Sequence, residues 1–168
     1  MTLDQFNDLD TQAQYYALER CCGAEHWVKQ MVAKAPFESK DQLLYFADYL
    51  WENAQEESWL EAFEHHPKIG DISSLEKKYQ NTQAWAEGEQ QGVNVASRET
   101  LEALAKGNAA YEEKFGFIYI VCATGKTAEE MNLLLQERLP NTAEDELYIA
   151  SKEQQKITRL RLEILITD

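Results

Sequence analysis

Behind Ser97, the residues Leu101, Leu104, Ala105, Asn108, Tyr111 and Phe115 recur at intervals of three and four. That spacing puts them on one stripe of a helix and turns the charged residues between them to water, so the segment predicts an amphipathic helix capped by Ser97. The same grammar repeats along the chain. Asp10 predicts the cap of a helix with Ala13, Tyr16, Ala17 and Cys21 on one face, and Trp27, Val28, Met31 and Val32 predict a short helix that stops before Pro36. Ser39 and Gln42 form a capping-box pattern ahead of Leu43, Ala47, Leu50 and Trp51. Ser58 predicts the start of a helix through Trp59, Leu60 and Phe63 that ends at His66, and Ser73 with Glu76 opens another with Leu75 and Tyr79 inward. Thr127 with Glu130 makes a box before Met131, Leu134, Leu135 and Leu139, closed by Pro140. Thr142 caps a last long helix carrying Leu147, Ala150, Gln154, Ile157, Arg161 and Ile164. The expectation is an all-α, single-domain bundle of roughly eight helices.

One segment breaks the pattern. Phe117-Ile118-Tyr119-Ile120-Val121-Cys122-Ala123 is β-branched and aromatic and lies between Gly116 and Gly125. Periodicity alone leaves a buried strand and a buried helical turn both open. A lone strand has nothing to pair with in a helical chain, so its amides would need side chains, water or a ligand as partners. A short extended segment near Tyr119–Ala123 is therefore expected, and it is a candidate binding wall; plain core is the bland alternative. No repeat, low-complexity stretch or linker divides the chain, which predicts one domain over residues 1–168.

Composition narrows the partners. With a net charge of −14 and a pI near 4.6, the surface opposes wholesale binding to nucleic acid or anionic membrane. An anionic small substrate needs a local cation, and Lys68, Lys126, Arg159 and Arg161 lie close to the segments singled out here. Cys21 and Cys22 are adjacent and Cys122 sits in an apolar run, which predicts reduced, buried thiols rather than a disulfide framework. The first residues show neither the basic nor the apolar region of a secretory signal, and the apolar run Phe117–Ala123 is too short to span a bilayer. A cytoplasmic protein without membrane partners is expected.

His66 stands immediately before Pro67 in the stretch Phe63-Glu64-His65-His66-Pro67-Lys68-Ile69-Gly70-Asp71. Proline disfavours helical φ/ψ at the residue before it and cannot donate to the ladder, so a helix stops here and His66 projects into a turn. Imidazole titrates nearest neutrality, which makes a fixed histidine at a chain reversal a candidate proton carrier. Taken alone, His65 or His66 reads by default as an exposed ring near the negative end of a helix dipole. Glu61, Glu64 and His65 have the spacing of metal ligands on one helix face, but a di-metal bundle site needs a second Glu-x-x-His. His26 has Gly23 three residues before it, so no metal site is expected. A non-catalytic helical interaction module with an acidic face is the other rival, and composition does not exclude it.

Three segments, His66-Pro67, Glu89-Gln90 within Glu87-Gly88-Glu89-Gln90-Gln91-Gly92, and Phe115-Gly116-Phe117 running into Tyr119–Ala123, together resemble the 2-oxo-4-hydroxy-4-carboxy-5-ureidoimidazoline (OHCU) decarboxylases of urate breakdown. The resemblance extends over Asn108…Tyr111, Glu137-Arg138-Leu139 and Ile157…Arg161-Leu162, from about Ser39 to Leu162. Three departures stand out. Ala86 replaces the family's usual serine, Ile118 stands where proline is common, and Lys68 replaces an aspartate after the His-Pro pair.

The resemblance implies a cofactor-independent decarboxylase, needing neither metal nor organic cofactor, that acts on OHCU as a homodimer. The N-terminal aromatics Tyr15, Tyr16 and Trp27 offer surface for such a partner. The substrate bears a carboxylate on the carbon that also carries a hydroxyl, beside a ring imine. Losing carbon dioxide sends the electron pair into that conjugated system, so the protein must orient the carboxylate, hold the ring and deliver a proton to one face. The resemblance assigns the acid to His66 and a polarising, hydrogen-bonding role to Glu89, with a fixed amide from Gln90. It also makes Pro67, Ala86, Glu87 and Gly88 contact residues, and Tyr119, Ile120, Val121, Cys122 and Ala123 a backbone wall for the ring or ureido oxygens. Arg161 interrupts an inward helix face; it receives the substrate carboxylate, steadies Glu89, or snorkels to water.

Overall fold

The computed structural model describes residues 1–66 and 97–167, and eight helices run through them. They are α1 (Leu3–Asn7), α2 (Thr11–Glu19), α3 (Glu25–Val32), α4 (Lys40–Glu52), α5 (Glu56–Glu64), α6 (Arg98–Phe115), α7 (Ala128–Arg138) and α8 (Ala143–Leu165). Among the described residues no strand forms, and no helix is long and apolar enough to cross a membrane. The fold is all-α. The described residues divide between two compact units, 1–66 with 149–167 in one and 97–148 in the other.

Side-chain caps open most helices where the sequence supplies them. Asp10 accepts from the Ala13 amide at 2.8 Å, Ser97 from Thr100 at 3.1 Å and Thr142 from Asp145 at 3.2 Å. Thr127 and Glu130 close a full capping box. At α4 only half of the expected box forms: Ser39 accepts from the Gln42 amide, while Gln42 Oε1 accepts from Glu38 N–H instead. Helix α5 begins two residues before the expected Ser58, which is buried inside it, and Glu56 and Glu57 supply the negative charge that its first turn favours. The five-residue α1, held by a Thr2–Gln5 box, was not expected from periodicity because so short a helix has no repeat to read.

The core of the first unit gathers Phe6, Leu18, Trp27, Met31, Leu43, Trp51 and Leu162, all nearly or fully buried. Burial of each such side chain contributes roughly 1.5–3 kcal/mol. Indole N–H groups are satisfied within it: Trp27 donates to the Ala47 carbonyl at 3.1 Å and Trp51 to that of Ser151 at 2.8 Å. Trp27 is therefore core, not the partner-facing aromatic expected of it. Of the stripe expected on α2, Cys21 just past its end is buried and Ala17 packs against the core, but Tyr16 is 53% exposed and the helix's own buried residues are Gln14 and Leu18. Helix α8 keeps Ala150 and Gln154 inward as expected, then continues through Thr158 and Leu162, leaving Ile164 exposed. A four-residue step advances about 40° each time on a helix of 3.6 residues per turn, so the buried stripe winds gradually around α8 instead of keeping to the straighter three-and-four stripe expected.

The second unit is built on α6 and α7. Gly107 lets them approach closely, since a Cβ there would lie 2.5 Å from Leu135 Cδ2. Helix α6 ends at Gly116, in the left-handed region at φ 79° that favours glycine. Residues 118–123 follow as a stretch that is neither helix nor strand. The helix expected from Ser73 to Tyr79 lies outside the described residues.

Candidate active site

In the first unit a cavity of about 320 Å³ opens between the end of α2, the end of α5 and one face of α8. Glu19 and Arg20 line it from α2, Ala62, His65 and His66 from α5, and Gln154 and Arg161 from α8, with Gly23 in the turn after α2. Helix α5 closes with tight turns, His65 N–H to Ala62 carbonyl and His66 N–H to Phe63 carbonyl, both 3.2 Å. The chain leaves the helix at His66, as a proline in the next position demands. Phe63, 1% exposed, anchors that end in the core, and Glu61 accepts from the Glu25 amide at 3.3 Å, tying α5 to the start of α3.

His66 is half-buried, and its Nε2 is hydrogen-bonded to Gln154 Oε1. Burial holds its pKa below the ordinary 6.5; Arg161 and His65 push the same way, and the Gln154 bond opposes them. His65 is exposed and rests against Gly23, where an added Cβ would fall 2.3 Å from its Cγ. Glycine at 23 is what leaves room for that ring.

Arg161 donates to the Cys21 carbonyl at 3.3 Å and lines the cavity, half-buried, rather than extending to water. Among the described residues no carboxylate lies within ion-pair distance of it. A cation beside a neutral imidazole in a cleft fits an incoming anion. The neighbouring thiols are poor nucleophiles: burial pushes Cys21 and Cys22 up to about 11.

Tyr119 to Ala123 belong to the second unit. Ile120 and Cys122 are buried, and the hydrogen bonds described for the segment run through its carbonyls. Arg138 Nη1 donates to the Ile120 carbonyl at 2.7 Å, Lys126 Nζ to that of Cys122 at 2.8 Å, and the Lys126 amide to that of Ala123 at 3.1 Å. The Arg138 guanidinium also lies 4.8 Å from the Tyr119 ring centroid. Behind it is a buried cluster: Arg138 Nε and Nη2 reach Glu146 at 2.7 and 2.9 Å, and the Tyr111 hydroxyl donates to Glu146 Oε2. Burial and the Glu146 carboxylate both push the Tyr111 phenol up, so it stays protonated and donating.

The expected contact residues Pro67, Ala86, Glu87, Gly88, Glu89 and Gln90 lie outside the described residues. Of the described ones, His66 and Arg161 share one cavity. Sequence reasoning assigned no role to Gln154, Gly23 or Glu146, and quoted Arg138 only within a motif. One signal was present: Glu146 and Gln154 are polar residues on the same face of α8 as Ala150, and a polar group on an inward face wants a named partner.

A family model described as OHCU decarboxylase matches residues 7–163, through both units. The chain is 36% identical over 148 residues to the uric acid degradation bifunctional protein TTL of Arabidopsis thaliana, covering 88% of this chain and 46% of that protein. It is 26% identical over 163 residues to the 2-oxo-4-hydroxy-4-carboxy-5-ureidoimidazoline decarboxylase of Haloferax volcanii, covering 96% and 94%. A crystal structure of an OHCU decarboxylase in the presence of (S)-allantoin superposes with a TM-score of 0.73 at 38% identity, over 89% of this chain and 96% of that one. An (S)-allantoin synthase structure, 19% identical with a TM-score of 0.72 over 99% of this chain and 54% of that one, shares the fold. This chain spans 46% and 33% of the length of the bifunctional relatives from Arabidopsis thaliana and Bacillus subtilis.

Proposed function

Because the chain belongs to the OHCU decarboxylase family, we propose that it is a cofactor-independent decarboxylase that converts OHCU to (S)-allantoin and carbon dioxide in urate breakdown. The observation that carries this reading is the pairing of His66 and Arg161 on one cavity of about 320 Å³. That volume suits a single small ring.

In this reading Arg161 receives the substrate carboxylate and turns it out of the ring plane. The bond between that carboxylate and the ring carbon breaks heterolytically; carbon dioxide departs and the electron pair enters the conjugated imine system. The imidazolium of His66 then delivers its proton to one face of that carbon, which fixes the product's hand. The anion of the bound substrate offsets the burial, Arg161 and His65 that hold the His66 pKa down, so the acid is charged when it is needed. Glu89 polarises the ligand, Gln90 fixes it, and Pro67, Ala86, Glu87 and Gly88 complete the contacts, while Tyr119, Ile120, Val121, Cys122 and Ala123 offer backbone groups to the ring or ureido oxygens. In support of the last assignment, the carbonyls of Ile120, Cys122 and Ala123 are already engaged by the protein.

The working form in this reading is a cytoplasmic homodimer. Cys21 and Cys22, adjacent and buried as thiols, suit a reducing compartment. Tyr16 and the stacked pair Tyr45–Tyr49 expose aromatic surface that a second copy would cover.

The test is a coupled assay in which OHCU is generated in situ from urate and the product is followed by circular dichroism. One-handed allantoin at a rate well above the enzyme-free control is expected. Racemic product at the control rate overturns the reading.

A further inference from the structure

We propose that Gln154 is a positioning residue for His66: its amide, aimed by Thr158, holds the neutral ring as the Nε2–H tautomer and leaves Nδ1 to carry the working proton. The proposal rests on the reading of His66 as the acid.

Gln154 is 1% exposed and Thr158, one turn later on α8, is 4% exposed. Both side chains must therefore find their partners inside the protein. A hydroxyl has one proton to give. That of Thr158 can turn to any acceptor while the lone pairs on its oxygen still accept. Gln154 Nε2 donates to that oxygen at 3.1 Å. The amide is thereby turned with its carbonyl oxygen toward His66, 88 residues away in sequence. A carbonyl oxygen can only accept, so the proton between them belongs to His66 Nε2. The hydrogen bonds run in one direction, from His66 through Gln154 to Thr158. Among the described residues Nδ1 has no partner.

A neutral acceptor suits an acid that must cycle. It bonds Nε2–H whether the ring is neutral or charged, so the ring keeps its orientation as Nδ1 gains and loses a proton. A carboxylate in the same place would favour the charged form much more strongly. The other charged groups facing the cavity are His65 from α5, Arg161 from α8, and Glu19 and Arg20 from the end of α2. Arg161 and His65 bias the ring toward neutrality, and only Gln154 steadies it in both states.

Long-range proton–nitrogen correlation on uniformly ¹⁵N-labelled protein reads the tautomer directly. The chain has three histidines, and a His66→Ala spectrum assigns the signal. At a pH above about 8, where the ring is neutral, wild-type His66 should show the Nε2–H pattern. Gln154→Met, similar in volume but without an acceptor, should mix the two tautomers and lower the titration midpoint of His66. Gln154→Glu should raise that midpoint. In turnover, Gln154→Met should lose about 10- to 100-fold in kcat, less than the 10²–10⁴ that general acid catalysis contributes as a whole, with KM little changed and the product partly racemised. An Nδ1–H pattern in the wild type overturns the proposal, as does a Gln154→Met protein with unchanged tautomer, midpoint and product handedness. Should Gln154→Met not fold, the wild-type pattern and the direction of the Gln154→Glu shift decide the matter. One-handed product from His66→Ala would instead sink the role of the ring as acid, an outcome that the tautomer measurement reads separately.

Discussion

Arg138 donates to the carbonyl of Ile120 at 2.7 Å while the rest of its guanidinium grips Glu146, whose side chain is fully buried. Removing either partner leaves the other as an uncompensated buried charge. Arg138→Met and Glu146→Leu should each cost about 3–5 kcal/mol, and the double variant much less than their sum. Urea denaturation of the four proteins measures the cycle; strict additivity would contradict it.

Gly23→Ala should damage the cavity from outside the chemistry. The new Cβ would meet three atoms of His65 within 2.7 Å, one of them its own Cβ, so a ring flip cannot clear the clash. The end of α5 must shift, at a cost of about 1–3 kcal/mol. Thermal unfolding should show the loss, and activity should fall although the glycine carries no functional group. Wild-type activity in a fully stable Gly23→Ala protein would refute this.

His66→Ala should abolish handedness before it abolishes folding. The imidazole is half-buried at a helix end and contributes little core packing. Because the substrate also decarboxylates unaided, circular dichroism of the product is the sharper readout, and the signal should not exceed the enzyme-free control. His65→Ala, whose ring is exposed, should still give one-handed product. The reverse pattern would reassign the acid.

The pH dependence follows from the depressed pKa of His66, which lies below 6.5. In kcat/KM, which reports the free protein, the acid limb should fall as pH rises through a midpoint below 6.5. In kcat the limb should lie at higher pH, because a bound carboxylate favours the charged ring. Stability carries the opposite sign. The unfolded chain binds this proton more readily than the native one, so the contribution is full above 6.5 and is lost as pH falls below it. The stability of His66→Ala should accordingly fall less steeply than that of the wild type below pH 6.5.

Light scattering should give the mass of a dimer at micromolar concentration. A charged substitution on the exposed aromatic surface, Tyr45→Glu, should weaken association, since Tyr45 is 61% exposed and its ring pairs with Phe46 and Tyr49 on its own helix. A protein that remains monomeric throughout the micromolar range would end the dimer reading.

Helix identity was legible because caps and apolar spacing are local. Asp10, Ser39, Ser97, Thr127 and Thr142 each open a helix through a bond to the residue three positions ahead, a distance that any chain segment contains within itself. The non-helical stretch after Gly116 was legible for the same reason, since a glycine at the end of α6 and a β-branched run cannot continue that helix favourably. Which face of a helix turned inward was less so. On α2 Tyr16 of the expected face lost its inward place to Gln14 and Leu18, because a glutamine that donates to the Phe6 carbonyl can be buried and a tyrosine can sit at the surface.

The sequence by itself determined that this chain is helical, where the helices capped by a side chain of the expected kind begin, and that a histidine stands at a helix end forced by proline. Those are properties of neighbouring residues and of backbone sterics. Only the tertiary structure decided that His66 meets Gln154 and that Arg138 meets Glu146 and the Ile120 carbonyl. The physical reason is that a polar side chain on an inward face reveals a need for a partner without saying which. Packing alone brings together groups 88 residues apart and satisfies them.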